Sequence, residues 1–332
     1  SVEPYGGGVW RGWLDRPLSV AGRVVIRQGD RLVSRLVNID RDLLVIPGVA
    51  IHMDRSVNKG AELNPAVDLL PLLGCGKEPG TFRKLIAEAA GVREEHLLST
   101  ELFLYPRTKA VQTGLNGEFI VSPRLDDLQC VFGCLEGFLA AKPGGSLPVL
   151  AVFNNEEVGS NTRQGADSTF LTDVLERIAH GCGLDSEGWK AAVANSFMVS
   201  ADNAHAIHPA HPEYADKGEF PVLGGGIVIK YNANQRYTTD AVSGAVFQAI
   251  CQEAGVPVQR YSNRADLPGG STLGNISTAH LSVPTVDIGL PQLAMHSVCE
   301  TAGAADTDYL VKAMTAYFSR DFHRDRDGGI VF

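Results

Sequence analysis

Residues 147–160 read LPVLAVFNNEEVGS. The apolar run 147–153 has the length and content of a buried strand. It ends at two asparagines and two adjacent glutamates, Glu156 and Glu157. A strand would point those carboxylates to opposite faces, and neighbouring like charges repel. Charge at the end of a buried strand is costly unless it is paired or bound to a metal ion. The stretch therefore predicts both a layered α/β core and a reason for carboxylates at its edge.

Working outward, the pattern C-terminal to residue 116 alternates strands and helices. LQCVFGCLEGFLAAK (128–142) is amphipathic, with Leu128, Val131, Phe132, Leu135 and Leu139 on one face. STFLTDVLERIAHG (168–181) reads as a helix and SFMVSAD (196–202) as a strand. Strands follow at 224–232, 257–262 and 284–290, with helices at 240–254 and 305–319. Such alternation predicts an α/β domain with a mixed, largely parallel sheet flanked by helices. The N-terminal part differs. VAGRVVIRQGDRLVSRLV (20–37) alternates apolar and polar residues around Gln-Gly-Asp, a hairpin signal. TFRKLIAEAA (81–90) predicts a short helix stopped by Gly91. The expected division is a smaller β-rich domain over 1–115 and an α/β domain over 116–332.

The bulk composition narrows the function. Among 332 residues, 44% are hydrophobic and 20% charged, and the net charge is −9. That is a globular composition, and the acidic balance excludes a general nucleic-acid or anionic-membrane binder. No apolar run approaches the ~18 residues of a membrane span. None of the six cysteines forms a CxxC pair, which argues against a cysteine zinc site and for reduced thiols in a cytoplasmic setting.

In α/β sheets, sites lie beyond the carboxyl ends of strands. Glu156 and Glu157 fall there, as does Asp202 at the end of SFMVSAD. His296 follows PTVDIGL by a short loop, and Asp126 opens a helix in SPRLDDLQC. Singly, each has a plainer reading: a helix-start carboxylate for Asp126 or Asp127, a turn residue for Asp202, a core histidine for His296. Together they suit a metal centre, in which carboxylates and a histidine bind divalent ions. A hydrolase of this kind also needs a carboxylate off the metal to move the proton of a water. Adjacent Glu156 and Glu157 can divide those tasks, and nearby cations would keep both ionised.

Eight segments, in order, then resemble the M18 metalloaminopeptidases, the aspartyl aminopeptidases. They are VEPYGGGVWRGWLDRPLSVAGRV, VIPGVAIHMDRSVN, SPRLDDLQ, NNEEVGS, SADNAHAIHP, VIKYNANQRYTTD, RADLPGGSTLGN and TVDIGLPQLAMHSVCE. The resemblance implies a zinc-peptidase-like fold with a dimerisation or lid domain. It also implies two divalent ions, zinc first, with manganese or cobalt as alternatives. Asp126 would bridge the ions, Glu157 and His296 would complete one, Asp202 would bind the other, and Glu156 would be the general base. Lys230 and His205 would line the substrate pocket, and His52 would reach a neighbouring subunit's site. The implied activity is release of N-terminal residues, preferably Asp or Glu, from peptides. The implied assembly is a homo-oligomer, up to a tetrahedral dodecamer.

In that family the first metal ligand is a histidine in a segment ahead of the VEPYGGG stretch. The expectation is that this histidine and part of the peptidase domain lie outside the 332 residues. A longer polypeptide, a second chain supplying the piece, and a short form with an impaired site are the three explanations. An M18-like scaffold without catalysis, or an M18 enzyme preferring neutral N-terminal residues, is the alternative reading of function.

Overall fold

The computed structural model describes residues 1–76, 78–267 and 269–332. It forms two compact units, Ser1–Lys109 and Ala110–Phe332.

The first unit is built on a long hairpin. Strand β1 (Pro17–Gln28) pairs antiparallel with β2 (Arg31–Asn38) in continuous register from Ala21–Asn38 to Gln28–Arg31. Gly29 opens the two-residue turn at φ 59°, a conformation that costs glycine little. Strand β3 (Leu44–Val45) pairs with the start of β1. Helices α1 (Pro65–Asp68) and α2 (Thr81–Ala89) follow. Past the end of α2, Gly91 takes φ 66°, as expected of a glycine that ends a helix. Strand β4 (Leu97–Pro106) then lies along β1. Leu18, Val20, Val24 and Ile26 alternate inward along β1 and pack with Ile86 and Leu97.

The second unit contains two sheets. Its elements begin with β5 (Val111–Thr113), β6 (Phe119–Ser122), α3 (Leu125–Ala140), α4 (Phe170–Gly181) and α5 (Ser186–Ala194). Next come β7 (Met198–Ala201), β8 (Ala204–His205), β9 (Ile227–Tyr231), α6 (Ala241–Glu253) and β10 (Val258–Ser262). The remainder are α7 (Leu273–His280), β11 (Thr285–Gly289), β12 (Pro291–Leu293), β13 (Glu300–Gly303), α8 (Ala304–Phe318), β14 (His323–Arg324) and β15 (Ile330–Val331).

The core sheet runs β10-β9-β11-β7. Its outer pairs are parallel and the central β9–β11 pair is antiparallel, so the sheet is mixed. The other sheet runs β5-β6-β13-β12-β8. The chain crosses from one sheet to the other twice, from β7 to β8 through Asp202 and Asn203, and from β11 to β12 through Leu290. The crossings run close: a Cβ at Gly289 would collide with the Asp202 carbonyl oxygen. Ile227, Ile229, Val286 and Ile288 pack with Phe247 and Ile250 of α6 and with Leu310 and Met314 of α8.

Two expectations change here. Residues 147–153 are not a strand: among the described residues nothing pairs with them, and Leu147, Val149 and Val152 are exposed. Strand propensity needs a ladder partner before it becomes a strand. The buried face of α3 is also not the leucine stripe. Leu128, Phe132, Leu135 and Leu139 are exposed, whereas Cys130, Gly133, Cys134 and Gly137 are buried. The small side chains admit α8 closely, since a Cβ on Gly133 would meet Leu310 and one on Gly137 would meet Met314. Among the described residues no helix is long and apolar enough to cross a membrane.

Candidate metal centre

Asp126 and Asp127 lie at the start of α3, but their backbone is not helical (ψ 112° at Asp126, φ −112° at Asp127), and the peptide between them is cis. The two glutamates stand on a single 3-10 turn, Glu156–Val158, rather than on a strand. Left-handed residues bracket that turn, Asn155 at φ 60° and Gly159 at φ 97°. The turn is tied down by Asn154 N–H to the Gln164 carbonyl and by Gln164 Nε2 to Asn155 Oδ1, 2.9 and 2.7 Å. Asp202 follows β7 at the sheet crossing. His296 sits in a left-handed conformation, φ 63°, between β12 and β13.

These groups, with Lys230 and His205, line one cavity of about 410 Å³, whose wall also includes Tyr237, Tyr261 and Thr272. The sequence-derived set of Asp126, Glu156, Glu157, Asp202, Lys230, His205 and His296 is thus brought together. His52 is not part of it: it is an exposed turn residue of the first unit. His208 and His211 lie on an exposed loop, their rings 5.3 Å apart.

His296 Nε2 is 3.3 Å from Asp126 Oδ2 and 3.2 Å from Glu157 Oε2. Ligand atoms of Asp126, Glu157 and His296 lie within 4.8 Å of one another, and so do those of Asp126, Asp127 and Asp202. Asp126 belongs to both groups. Its side chain is only 6% exposed, and Oδ1 is buried with no hydrogen-bond partner among the described residues. A buried carboxylate oxygen left without a donor is costly, and a cation satisfies it. The residues present therefore fit a divalent ion with mixed nitrogen and oxygen ligands.

Electrostatics agree. Burial pushes the Glu157 carboxyl up to about 7, with His296 opposing and Asp126 adding. Burial likewise lifts Asp202 to about 7, against the pull of Lys230 and with a push from Asp126. Glu156 is raised by burial first and then by the Asp126 charge. Crowded carboxylates of this kind await positive charge. Lys230 provides part of it. It is 3% exposed, and its Nζ lies 3.3 Å from Asp202 Oδ2 and donates to the Asn203 carbonyl at 2.8 Å.

Sequence reasoning missed three residues around this cluster. Asp127, which its sequence position marks only as a helix-start residue, is half-buried beside Asp126 and Asp202, and desolvation raises its pKa. Asn203 grips both neighbours of Asp126: its Nδ2 donates to the Leu125 carbonyl (3.0 Å) and its N–H donates to Asp127 Oδ1 (3.2 Å). Nδ2 also faces Gln129 Oε1 and Gln292 Oε1, so three acceptors fix the amide orientation. Glu300 of β13 is 2% exposed and touches the backbone of two site residues. The Asp-Asp doublet was a visible signal; Asn203 and Glu300 carried none that periodicity or spacing could expose.

A carboxylate and histidine cluster with a spare carboxylate beside it, past the strand ends of a mixed sheet, has the make-up of a metal-dependent hydrolase site. Residues 1–318 match the family described as aminopeptidase I zinc metalloprotease (M18). The chain belongs to the M18 family. It is 45% identical over 325 residues to a protein of Clostridium acetobutylicum named "Probable M18 family aminopeptidase 2", a match covering 96% of this chain and 75% of that protein. Among solved structures it resembles Ape4 in its complex with Nbr1, at 36% identity and a TM-score of 0.89, covering 95% of this chain and 65% of that one. It also resembles the S. cerevisiae mApe1 dodecamer, at 27% identity and a TM-score of 0.78, covering 95% and 72%. The chain thus spans about three quarters of the curated relative and just under two thirds of the Ape4 chain.

Proposed function

We propose that this chain carries the catalytic site of a metal-dependent aminopeptidase that releases N-terminal residues from peptides. One observation carries the reading: Asp126, Glu157 and His296 converge within ligand distance, with Glu156 beside them in the same cavity. Asp126, Glu157 and His296 would hold one divalent ion and Asp126 with Asp202 a second, zinc being the ion the family description names. Bound there, such ions supply Lewis acidity and lower the pKa of a coordinated water. Glu156, off the ligand set, takes the proton of the attacking water and returns it to the departing amine. Its raised pKa suits both halves of that transfer. His205, Tyr237 and Tyr261 form the wall that receives the N-terminal residue.

Preference for Asp or Glu rests on Lys230 as a cation at that wall. The competing reading, a preference for neutral residues, is favoured by the pairing of Lys230, whose ammonium is already engaged by Asp202 and Asn203. A homo-oligomer is supported by the dodecameric relative, and His52 is then the residue that serves a neighbouring subunit's site.

The test is hydrolysis of Asp-, Glu- and Leu-linked chromogenic substrates after loading with Zn²⁺, Mn²⁺ or Co²⁺, together with metal content per chain. Faster release of Asp and Glu supports the acidic preference. A clear Leu preference removes it while leaving the reaction class. Absence of both hydrolysis and bound metal would favour a scaffold.

A further inference from the structure

Glu300 is a buried carboxylate, 2% exposed, that the reaction outlined above leaves without a role. It lies at the first position of β13, where that strand pairs with Ser122 of β6. Its two oxygens accept backbone donors on two separate segments, with the Leu125 N–H also contributing on the Asp126 side. Oε2 accepts the N–H of Asp126 at 2.9 Å, and Oε1 accepts the N–H of His296 at 2.7 Å. These are two of the three residues whose side chains converge on one candidate ion. We propose that Glu300 is a positioning residue: a single carboxylate that fixes the backbones of Asp126 and His296 at the separation their side chains need to share a metal ion. The inference rests on the metal reading of the site.

Three physical points support it. First, both backbones need holding. Asp126 departs from helical geometry at the mouth of α3, and His296 occupies a left-handed conformation that costs a non-glycine residue free energy unless its surroundings impose it. Second, the acceptor must be an anion with two equivalent oxygens. Hydrogen bonds from N–H to a carboxylate are stronger than neutral ones, and a carboxylate offers acceptors on both sides with no donor. Glutamine would turn an N–H₂ toward one of the two amides, and aspartate is one methylene short of spanning both. Third, Glu300 stands on a strand paired within the five-stranded sheet, so the reference point is rigid. Groups that orient metal ligands from behind typically change metal affinity or activity by roughly 10-fold to 100-fold when altered.

The experiment compares wild type, Glu300→Gln, Glu300→Asp and a core control, Ile250→Val, which trims a buried side chain of α6 outside the cavity. Two readouts are taken well below each protein's Tm: Co²⁺ affinity and stoichiometry by titration of metal-free protein, and amide hydrogen exchange at Asp126 and His296 without metal. The expected result is faster exchange at both amides and roughly 10-fold to 100-fold weaker Co²⁺ binding in both Glu300 variants, with the control unchanged in both. Unchanged affinity in a folded Glu300 variant overturns the proposal, as does an equal loss in Ile250→Val. If Glu300→Gln does not fold, Glu300→Asp decides. If wild type takes up no Co²⁺, the metal reading fails, and with it the proposed purpose of the clamp, even where exchange shows that the clamp exists.

Discussion

Lys230 Nζ lies 3.3 Å from Asp202 Oδ2, with the lysine side chain 3% and the aspartate side chain 14% exposed. Two opposite charges taken out of water hold each other in place, and removing one strands the other. Lys230→Met should destabilise the metal-free protein by about 3 kcal/mol. Metal bound at Asp202 replaces the lost cation, so the loss should shrink once zinc is added. Urea unfolding with and without Zn²⁺ checks this, and an equal loss in both states would argue against Asp202 as a ligand.

Glu156 and Glu157 are neighbours on one turn, and the proposed function gives them separate tasks. Glu156→Gln should lower turnover by roughly 10²–10⁴-fold, the range general acid–base groups contribute, while metal content stays at the wild-type level. Glu157→Gln should lose metal as well. Near-normal kcat in Glu156→Gln would mean another group moves the proton.

Asp306, at the start of α8, accepts the N–H groups of Gly224 and Gly226 at 2.8 and 2.9 Å, anchoring the loop ahead of the strand that carries Lys230. Burial pushes its carboxyl up to about 6, partly offset by those two donors. A carboxyl raised on folding favours the folded state most while protonated. Its contribution is complete below the unfolded pKa near 4 and is lost as pH rises through about 6, a change of about 3 kcal/mol. Asp306→Asn cannot ionise and spoils one of the two hydrogen bonds. It should be clearly less stable than wild type at pH 4, with the gap narrowing by pH 7. Stability curves at several pH values test this, and a gap that widens with pH contradicts it.

Helices α3 and α8 meet through glycine. An ideal Cβ on Gly137 would lie 2.5 Å from Met314 Cβ and 3.0 Å from the Met314 carbonyl carbon. Backbone cannot step aside as a flexible side chain can. Gly137→Ala should therefore cost about 1–3 kcal/mol despite alanine's better helix propensity. A neutral or stabilising result in thermal unfolding would mean that the helices can separate freely.

Much of this molecule is legible in its sequence, and the gaps have physical causes. The hairpin of β1 and β2, helices α4, α6 and α8, and strands β7, β9, β10 and β11 follow from periodicity and turn residues. Residues 147–153 do not, because a strand depends on a partner that no local pattern encodes. The buried face of α3 is hidden from periodicity because hydrophobicity ranks leucine above glycine, whereas close helix contact selects the smaller residue. In the cavity, the residues that aim side chains at one another could be named in advance. Those that act from behind, Asn203 and Glu300, could not: their partners include backbone groups 78 and 174 positions away.

The two crossings between the sheets carry one more consequence. Because β7–β8 and β11–β12 each belong to both sheets, neither sheet can shear past the other without dragging Asp202 along. The seam is also where Asn203 grips the flanks of Asp126. Heating or denaturant should thus not peel away one donor at a time. The centre is wired to fail as a single cooperative unit, so that any ion held there would leave in one step with the loss of the seam.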